Sequence, residues 1–235
     1  MKFIVFDTET TSIPRFRGLP EPSCLDKFNV RYPNHIMKFN GEVIQFAGLV
    51  CDENFALEKI ISFYCMPSEP ISQEAFNVNK ISNEMIYDLS KGKRLEDYLI
   101  KDEEIHDLLF NSNNLFIGHN VKFDMKVIND NLLNYCYPEI NFGESVKSFT
   151  GLDKGSSYHY DTMSNAMRIL GLRKRPKLIE LVKMLVPEVD LDRFCSYVMN
   201  QHHKTSSVKL HDACYDAICT WLAASKLREK SEWDI

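Results

Sequence analysis

Phe3-Ile4-Val5-Phe6-Asp7-Thr8-Glu9-Thr10 begins with four apolar residues and ends in acids and threonines. That order reads as a buried strand delivering polar side chains to the edge of a sheet. Alternate side chains of an extended segment share a face, so Asp7 and Glu9 project to the same side, separated by about 7 Å of backbone rise. Two carboxylates so placed call for a cation. An isolated D-x-E pair also has a plainer meaning, strand-end solubility, and that is the commoner case.

Outward from this strand, Val43 to Cys51 and Leu57 to Met66 read as two more strands around the turn-forming Asp52-Glu53-Asn54, a hairpin beside the first. Between strands one and two lies an irregular stretch, about Ile13 to Gly41, carrying Pro14, Pro20, Pro22 and Pro33 with Phe16, Phe28, Tyr32 and Phe39. Connections of that length are uncommon and usually functional or disordered, so this one is expected to be a lid or partner-contact insertion. Helical spacing follows around Ser82 to Leu89 and over Leu95 to Phe110. Leu115-Phe116-Ile117 is a short buried strand ending at Gly118-His119-Asn120, and Lys122 to Leu133 resumes helical spacing. Tyr158 to Thr162 reads as a strand, with helices near Met163 to Leu170 and Leu178 to Val186. In the last helix Leu210, Ala213, Cys214, Ala217, Ile218, Trp221 and Leu222 form one apolar face. A hairpin first, then strands alternating with helices, implies a mixed α/β sheet in a single domain spanning residues 1–235, with a short C-terminal tail.

The chain has 235 residues, 44% of them hydrophobic and 11% aromatic, which excludes a disordered or low-complexity protein. No apolar run approaches the roughly 18 residues of a membrane span, and the N-terminal run is too short for a secretory signal. The longest, Val43 to Cys51, is interrupted by Gln45. The expectation is a soluble, cytoplasmic protein with no membrane partner. Seven cysteines form an odd set without a C-x-x-C pair, suggesting neither a disulfide framework nor a zinc site; several sit in apolar patterns as small core residues. With 28 bases against 33 acids the net charge is −5, which argues against a protein that grips nucleic acid by cationic excess.

Two further segments place acids at element ends. Gly118-His119-Asn120-Val121-Lys122-Phe123-Asp124 follows an apolar strand, with Gly118 permitting a tight exit and Asp124 in the first turn of a helix, where an acid also serves as an ordinary capping or dipole-complementing residue. His211-Asp212-Ala213-Cys214-Tyr215-Asp216 opens the last helix. Five helical residues turn about 140°, so His211 and Asp216 converge only if His211 belongs to the preceding loop or first turn. Together the three segments are harder to dismiss than any one.

These segments, in this order, resemble the DEDDh branch of the DnaQ-like 3′→5′ exonuclease superfamily, which includes proofreading subunits, RNase T and oligoribonuclease. Phe6 to Thr11 is similar to the first signature, Gly118 to Asp124 to the second and His211 to Ala217 to the third, with His211 five positions before Asp216 marking the histidine branch. Segments at Pro70 to Ser82 and Tyr160 to Thr162 are similar to secondary features of the family, whereas 13–41 matches nothing in it. The resemblance implies a ribonuclease H-like fold with a central mixed five-stranded sheet, antiparallel over three strands and then parallel, flanked by helices. It implies that Asp7, Glu9, Asp124 and Asp216 hold two divalent cations, Mg²⁺ or Mn²⁺, as suits oxygen-rich sites. His211 would be the general base, its ordinary pKa near 6.5 suiting proton transfer at neutral pH. Thr8, Thr10, His119, Asn120 and Phe123 would line the pocket for the terminal nucleotide, although an aromatic at helical spacing, as Phe123 is, is often core. His202 and His203 read as part of a mobile polar loop, His159 and Asp161 as structural residues, and Arg173-Lys174-Arg175 with Lys177 as a solvated helix terminus or, alternatively, a nucleic-acid contact.

The implied activity is metal-dependent release of nucleoside 5′-monophosphates from a single-stranded or frayed 3′ end of DNA or RNA. A polymerase or another replication or repair protein is an expected partner, and the resemblance allows a homodimer. The rival reading is a catalytically silent ribonuclease H-like module that binds a nucleic-acid end or a polymerase; a weaker one is internal cutting. Assigning four of the 33 acids to cations leaves 29 against 28 bases, so the acidity is largely site equipment. Weak, end-directed binding with modest salt dependence follows.

Overall fold

The computed structural model describes residues 1–12, 41–202 and 212–231. Among them six strands form one sheet: β1 (Phe3–Thr10), β2 (Val43–Cys51), β3 (Leu57–Tyr64), β4 (Leu115–Gly118), β5 (Glu144–Ser145) and β6 (Tyr158–Asp161), in the order β3-β2-β1-β4-β6-β5. The β1–β2 and β2–β3 pairs are antiparallel, and the β1–β4, β4–β6 and β5–β6 pairs are parallel. This is the expected mixed sheet with one strand more than the five anticipated. The extra strand, β5, has two residues, too few to carry an alternating pattern. Gly143 makes it possible, since a Cβ there would stand 1.6 Å from the Ser157 carbonyl oxygen.

Nine helices are described: α1 (Gln73–Asn79), α2 (Asn83–Ser90), α3 (Leu95–Leu99), α4 (Glu103–Leu109), α5 (Lys122–Asn134), α6 (Thr162–Ile169), α7 (Leu178–Leu185), α8 (Leu191–His202) and α9 (Ala213–Ser231). The helix anticipated over Leu95 to Phe110 is broken in two. Asp102 has an extended backbone and its side chain accepts from Ile105 N, so it starts a new helix rather than continuing the old one. Asn200 to His202 are the last turn of α8, not loop, because the apolar stripe Leu191, Cys195, Val198 and Met199 carries the helix through them. His203 and the following eight residues lie outside the described residues, as do 13–40 and the tail 232–235.

The sheet separates two cores. Phe3, Val5, Ala47, Leu49, Leu115 and Ile117 face α6 to α9, while Ile4, Phe6, Phe46, Val50 and Phe116 face α3 to α5. A third cluster, centred on Ile44 and Ile86, packs α1 and α2 beside the end of β2. Cys51, Cys65, Cys195, Cys214 and Cys219 are buried core residues. No helix among the described residues is long and apolar enough to cross a membrane.

Candidate active site

The antiparallel registers build the site in rows. Asp7 lies opposite Ala47, which lies opposite Ser62; Glu9 lies opposite Gln45, which lies opposite Tyr64. Residues directly opposite in a ladder share a face, so Asp7 and Glu9 look out on the side covered by α9. Gln45 is only 1% exposed, and its Oε1 accepts from Ala213 N at 3.2 Å. The polar interruption of an otherwise apolar strand is therefore the latch that seats the first N–H of α9 on the sheet, where a helix N-terminus leaves donors without intrahelical partners. One turn further along, Asp216 meets the β1 acids: ligand oxygens of Asp7, Glu9 and Asp216 all lie within 4.8 Å of one another.

Asp124 arrives from the opposite side of β1. A Cβ on Gly118 would lie 2.7 Å from the Val121 side chain, so glycine is what lets β4 turn at once into α5. Asn120 completes the turn with φ +64°, a left-handed conformation that asparagine tolerates, and its N–H is held by Asp161 Oδ1 at 3.0 Å. The turn delivers Asp124 to Thr8, whose N–H and hydroxyl both donate to Asp124 Oδ1, at 3.1 and 2.6 Å. Thr8 is thus spent on orienting a carboxylate.

Burial, followed by the mutual repulsion of Asp124, Asp216, Glu9 and Asp212, raises the Asp7 carboxyl well above its ordinary range. Burial, with Asp216, Asp124 and Asp212 behind it, lifts Glu9 to about 8. Asp216 rises to about 7 through burial and Asp212; Asp124 rises to about 7 through burial, against the lowering effect of the Thr8 hydrogen bonds. Carboxylates in this state resist ionising unless a cation joins them. The converging donors are all carboxylate oxygens, with no thiol or imidazole among the described ligand atoms, a set that fits a hard divalent cation of the Mg²⁺ or Mn²⁺ kind.

The remaining anticipated residues have other placements. Thr10 is buried, its hydroxyl donating to Ser12 O. His119 has Nδ1 3.0 Å from Thr162 Oγ1 and Nε2 3.1 Å from the Pro176 carbonyl oxygen; burial lowers its pKa, and both nitrogens are engaged within the fold. Asn120 is exposed and Phe123 is half-buried against the α3–α5 core. His211 lies outside the described residues. His159, 6% exposed with Nδ1 against Gly143 O, and Asp161, which caps α6, both serve the fold.

Sequence reasoning missed three residues. Asp212 sits beside the cluster, accepts from Cys214 N at 2.9 Å, and receives the Tyr64 hydroxyl at 3.5 Å. Buried Asn79, at the end of α1, donates to Thr10 O at 3.3 Å, accepts from Ile81 N at 3.0 Å, and acts to lower the Glu9 pKa against the raising effect of burial. Tyr64 could have been found from its place at the end of the β3 run, Asp212 from its N-cap position, and Asn79 from its place in the Pro70 to Ser82 segment.

Comparison with known proteins bears on the family and the fold. The chain is similar to the PolC-type DNA polymerase III of Ureaplasma parvum, 25% identical over 134 residues that make up 57% of this chain and 7% of that protein. The fold is similar to exonuclease X in complex with 5′-overhanging duplex DNA, with TM-score 0.59 and 16% identity over 98% of this chain and 93% of that one. It is also similar to E. coli exonuclease I in complex with a dT13 oligonucleotide, with TM-score 0.57 and 18% identity over 99% of this chain and 42% of that one. The exonuclease family model of RNase T type matches residues 4–222, nearly the whole length, and the chain belongs to that exonuclease family.

Proposed function

We propose that the chain is a 3′→5′ exonuclease that releases nucleoside 5′-monophosphates from a single-stranded or frayed end of DNA or RNA. Asp7, Glu9, Asp124 and Asp216 hold two divalent cations, Mg²⁺ or Mn²⁺, and His211 is the general base. The observation that carries this reading is the convergence of Asp7, Glu9 and Asp216 within 4.8 Å, three carboxylates from two elements that share no local reason to meet. When bound, two cations would offset the charge on the attacking and leaving oxygens of an in-line displacement at phosphorus.

The chain's own residues do the rest. Thr8 fixes the orientation of Asp124, Asn79 favours the ionised form of Glu9, and Gln45 fixes the start of the helix that carries Asp216. In this reading the imidazole of His211 accepts the proton of the attacking water. The proposal extends to one exonuclease unit with an insertion at 13–41, working in the cytoplasm. The PolC-type relative favours a polymerase or another replication or repair protein as partner.

Incubating purified protein with a 5′-labelled oligonucleotide and Mg²⁺ should give a ladder that shortens from the 3′ end and stops on chelation. Internal products from a circular substrate would replace this reading by internal cutting. Mn²⁺ binding by calorimetry without any shortening would leave a silent binding module instead.

A further inference from the structure

We propose that the loop Arg173-Lys174-Arg175-Pro176-Lys177 is the element that receives the phosphate backbone of the nucleic-acid strand upstream of the reacting nucleotide. The inference rests on the exonuclease reading above and adds to it where the strand runs.

Between Gly171 and Leu178 the sequence holds four cations and no acid, in a chain whose net charge is −5. All four side chains are exposed, and none is in an ion pair among the described residues. An exposed basic run by itself is ordinary; its position here is not. The Pro176 carbonyl, in the middle of the run, accepts from His119 Nε2 at 3.1 Å, a carbonyl having nothing to donate. His119 is the first residue beyond β4. β4 is the parallel neighbour of β1: Ile117, two residues before His119, pairs with Val5, two residues before Asp7. The cationic loop is thus tied by a half-buried side chain to the end of β4, the strand beside the one that carries Asp7 and Glu9.

The loop is also fixed at both ends. Gly171, with φ +63°, closes α6, and Leu172 N returns to Met167 O at 3.0 Å. Lys177 N donates to Glu180 Oε2 at 3.1 Å where α7 begins. Three anchors hold four cations beside a site whose own acids repel a polyanion. A strand entering that site meets the loop at the point where counter-charge is needed, and phosphate contacts of this kind position without reading sequence.

The test is steady-state degradation of a single-stranded oligonucleotide across a salt series. It compares the full chain with a variant carrying Arg173→Gln, Lys174→Gln, Arg175→Gln and Lys177→Gln. A second substrate, the p-nitrophenyl ester of thymidine 5′-monophosphate, has no upstream phosphate. In the variant, KM for the oligonucleotide should rise about tenfold or more, and the plot of log(kcat/KM) against log[salt] should become shallower by two to three, from about 0.7 per lost contact on single strands. Hydrolysis of the ester and the melting temperature should not move. A second variant, Arg173→Lys with Arg175→Lys, should keep the salt dependence of the unmodified chain. Unchanged KM and slope in the four-fold variant, with the unmodified chain active, would overturn this inference alone; an unmodified chain that shortens no oligonucleotide would overturn the exonuclease reading.

Discussion

The two halves of β1 use one backbone for opposite ends. Phe3, Ile4, Val5 and Phe6 are between 0 and 2% exposed and divide themselves between the two cores. Asp7 and Glu9, one and three residues further on, are only partly buried, and they gather like charge instead of hydrocarbon. The first half stabilises the sheet, and the second half is held in place by it at a cost. Function and stability are therefore separable along a single strand, and mutations on the two sides of the Phe6–Asp7 peptide should fail in different ways.

The sharpest contrast is between Asp7→Asn and Phe6→Ala. Asp7→Asn should lower 3′-end degradation by about a thousandfold, since loss of several kcal/mol of charge stabilisation at 1.36 kcal/mol per tenfold amounts to that much. Its melting temperature in chelator should be equal to the unmodified chain's or higher, because the substitution removes a carboxyl that its surroundings disfavour. Phe6→Ala should behave the other way. Phe6 packs against Phe46, Phe116 and Phe142, and truncating such a ring costs about 3–5 kcal/mol; denaturant melts should show it, with activity per folded molecule retained. An Asp7→Asn protein that melts like Phe6→Ala would erase the division between the halves.

How far this division is legible in the sequence depends on range. The β1 pattern, the hairpin, the parallel strand ending at Gly118 and the last helix all follow from local periodicity, and the three acidic segments announce themselves at element ends. What escapes is set by tertiary contact. Gln45 reads as a flaw in an apolar run until α9 is laid over it. The contact of His119 Nε2 with Pro176 O joins positions 57 apart, beyond any local pattern. The break at Ile100 to Asp102 hides because apolar spacing continues across it, and β5 because two residues have no period.

Asn79 sharpens the comparison from outside the strand, since it is a neutral donor reaching the acidic half. Asn79→Ala removes the hydrogen bond to Thr10 O and the amide that favours ionised Glu9, without touching the cluster's charge. Partners that orient ligands in this way are typically worth about 10- to 100-fold in metal affinity. Calorimetric titration with Mn²⁺ should show weakening of that order; equal affinity would mean that Glu9 is positioned by β1 alone.

The acidic half should also write its cost into the pH dependence of stability. Glu9, Asp124 and Asp216 all have folded-state pKa values above their ordinary ones, at about 8, 7 and 7. The folded state therefore binds protons more tightly than the unfolded chain. The stabilising contribution is fully present below about pH 4, and it is lost as pH rises through 7 to 8. Thermal melts in chelator should fall across that window, and saturating Mg²⁺ or Mn²⁺ should reverse the fall by favouring the ionised carboxylates. A cation-independent melting curve would remove the basis for reading the cluster as a metal site.

The smallest effect is expected where β1 ends, at the boundary of 13–40. The β1–β2 pairing continues up to both edges of that segment: Thr11 N donates to Glu42 O at 2.9 Å, and Glu42 N donates to Thr11 Oγ1 at 2.9 Å. Each side has a further anchor of its own. Ser72 N donates to Thr11 O, while Asn131 on α5 receives Val43 N and donates to Gly41 O. None of these contacts passes through residues 13–40, so joining Ser12 to Gly41 by a two-residue Asn-Gly turn, which suits an antiparallel pair, should leave the site acids in register. Shortening a loop of that length changes closure entropy by only about 0.6 kcal/mol per halving, and in the stabilising direction. The melting temperature should stay within a few degrees and Mn²⁺ affinity should be unchanged. Loss of the fold on this deletion would mean that the acidic half of β1 depends on the insertion, and that the strand's two halves are supported by different parts of the chain.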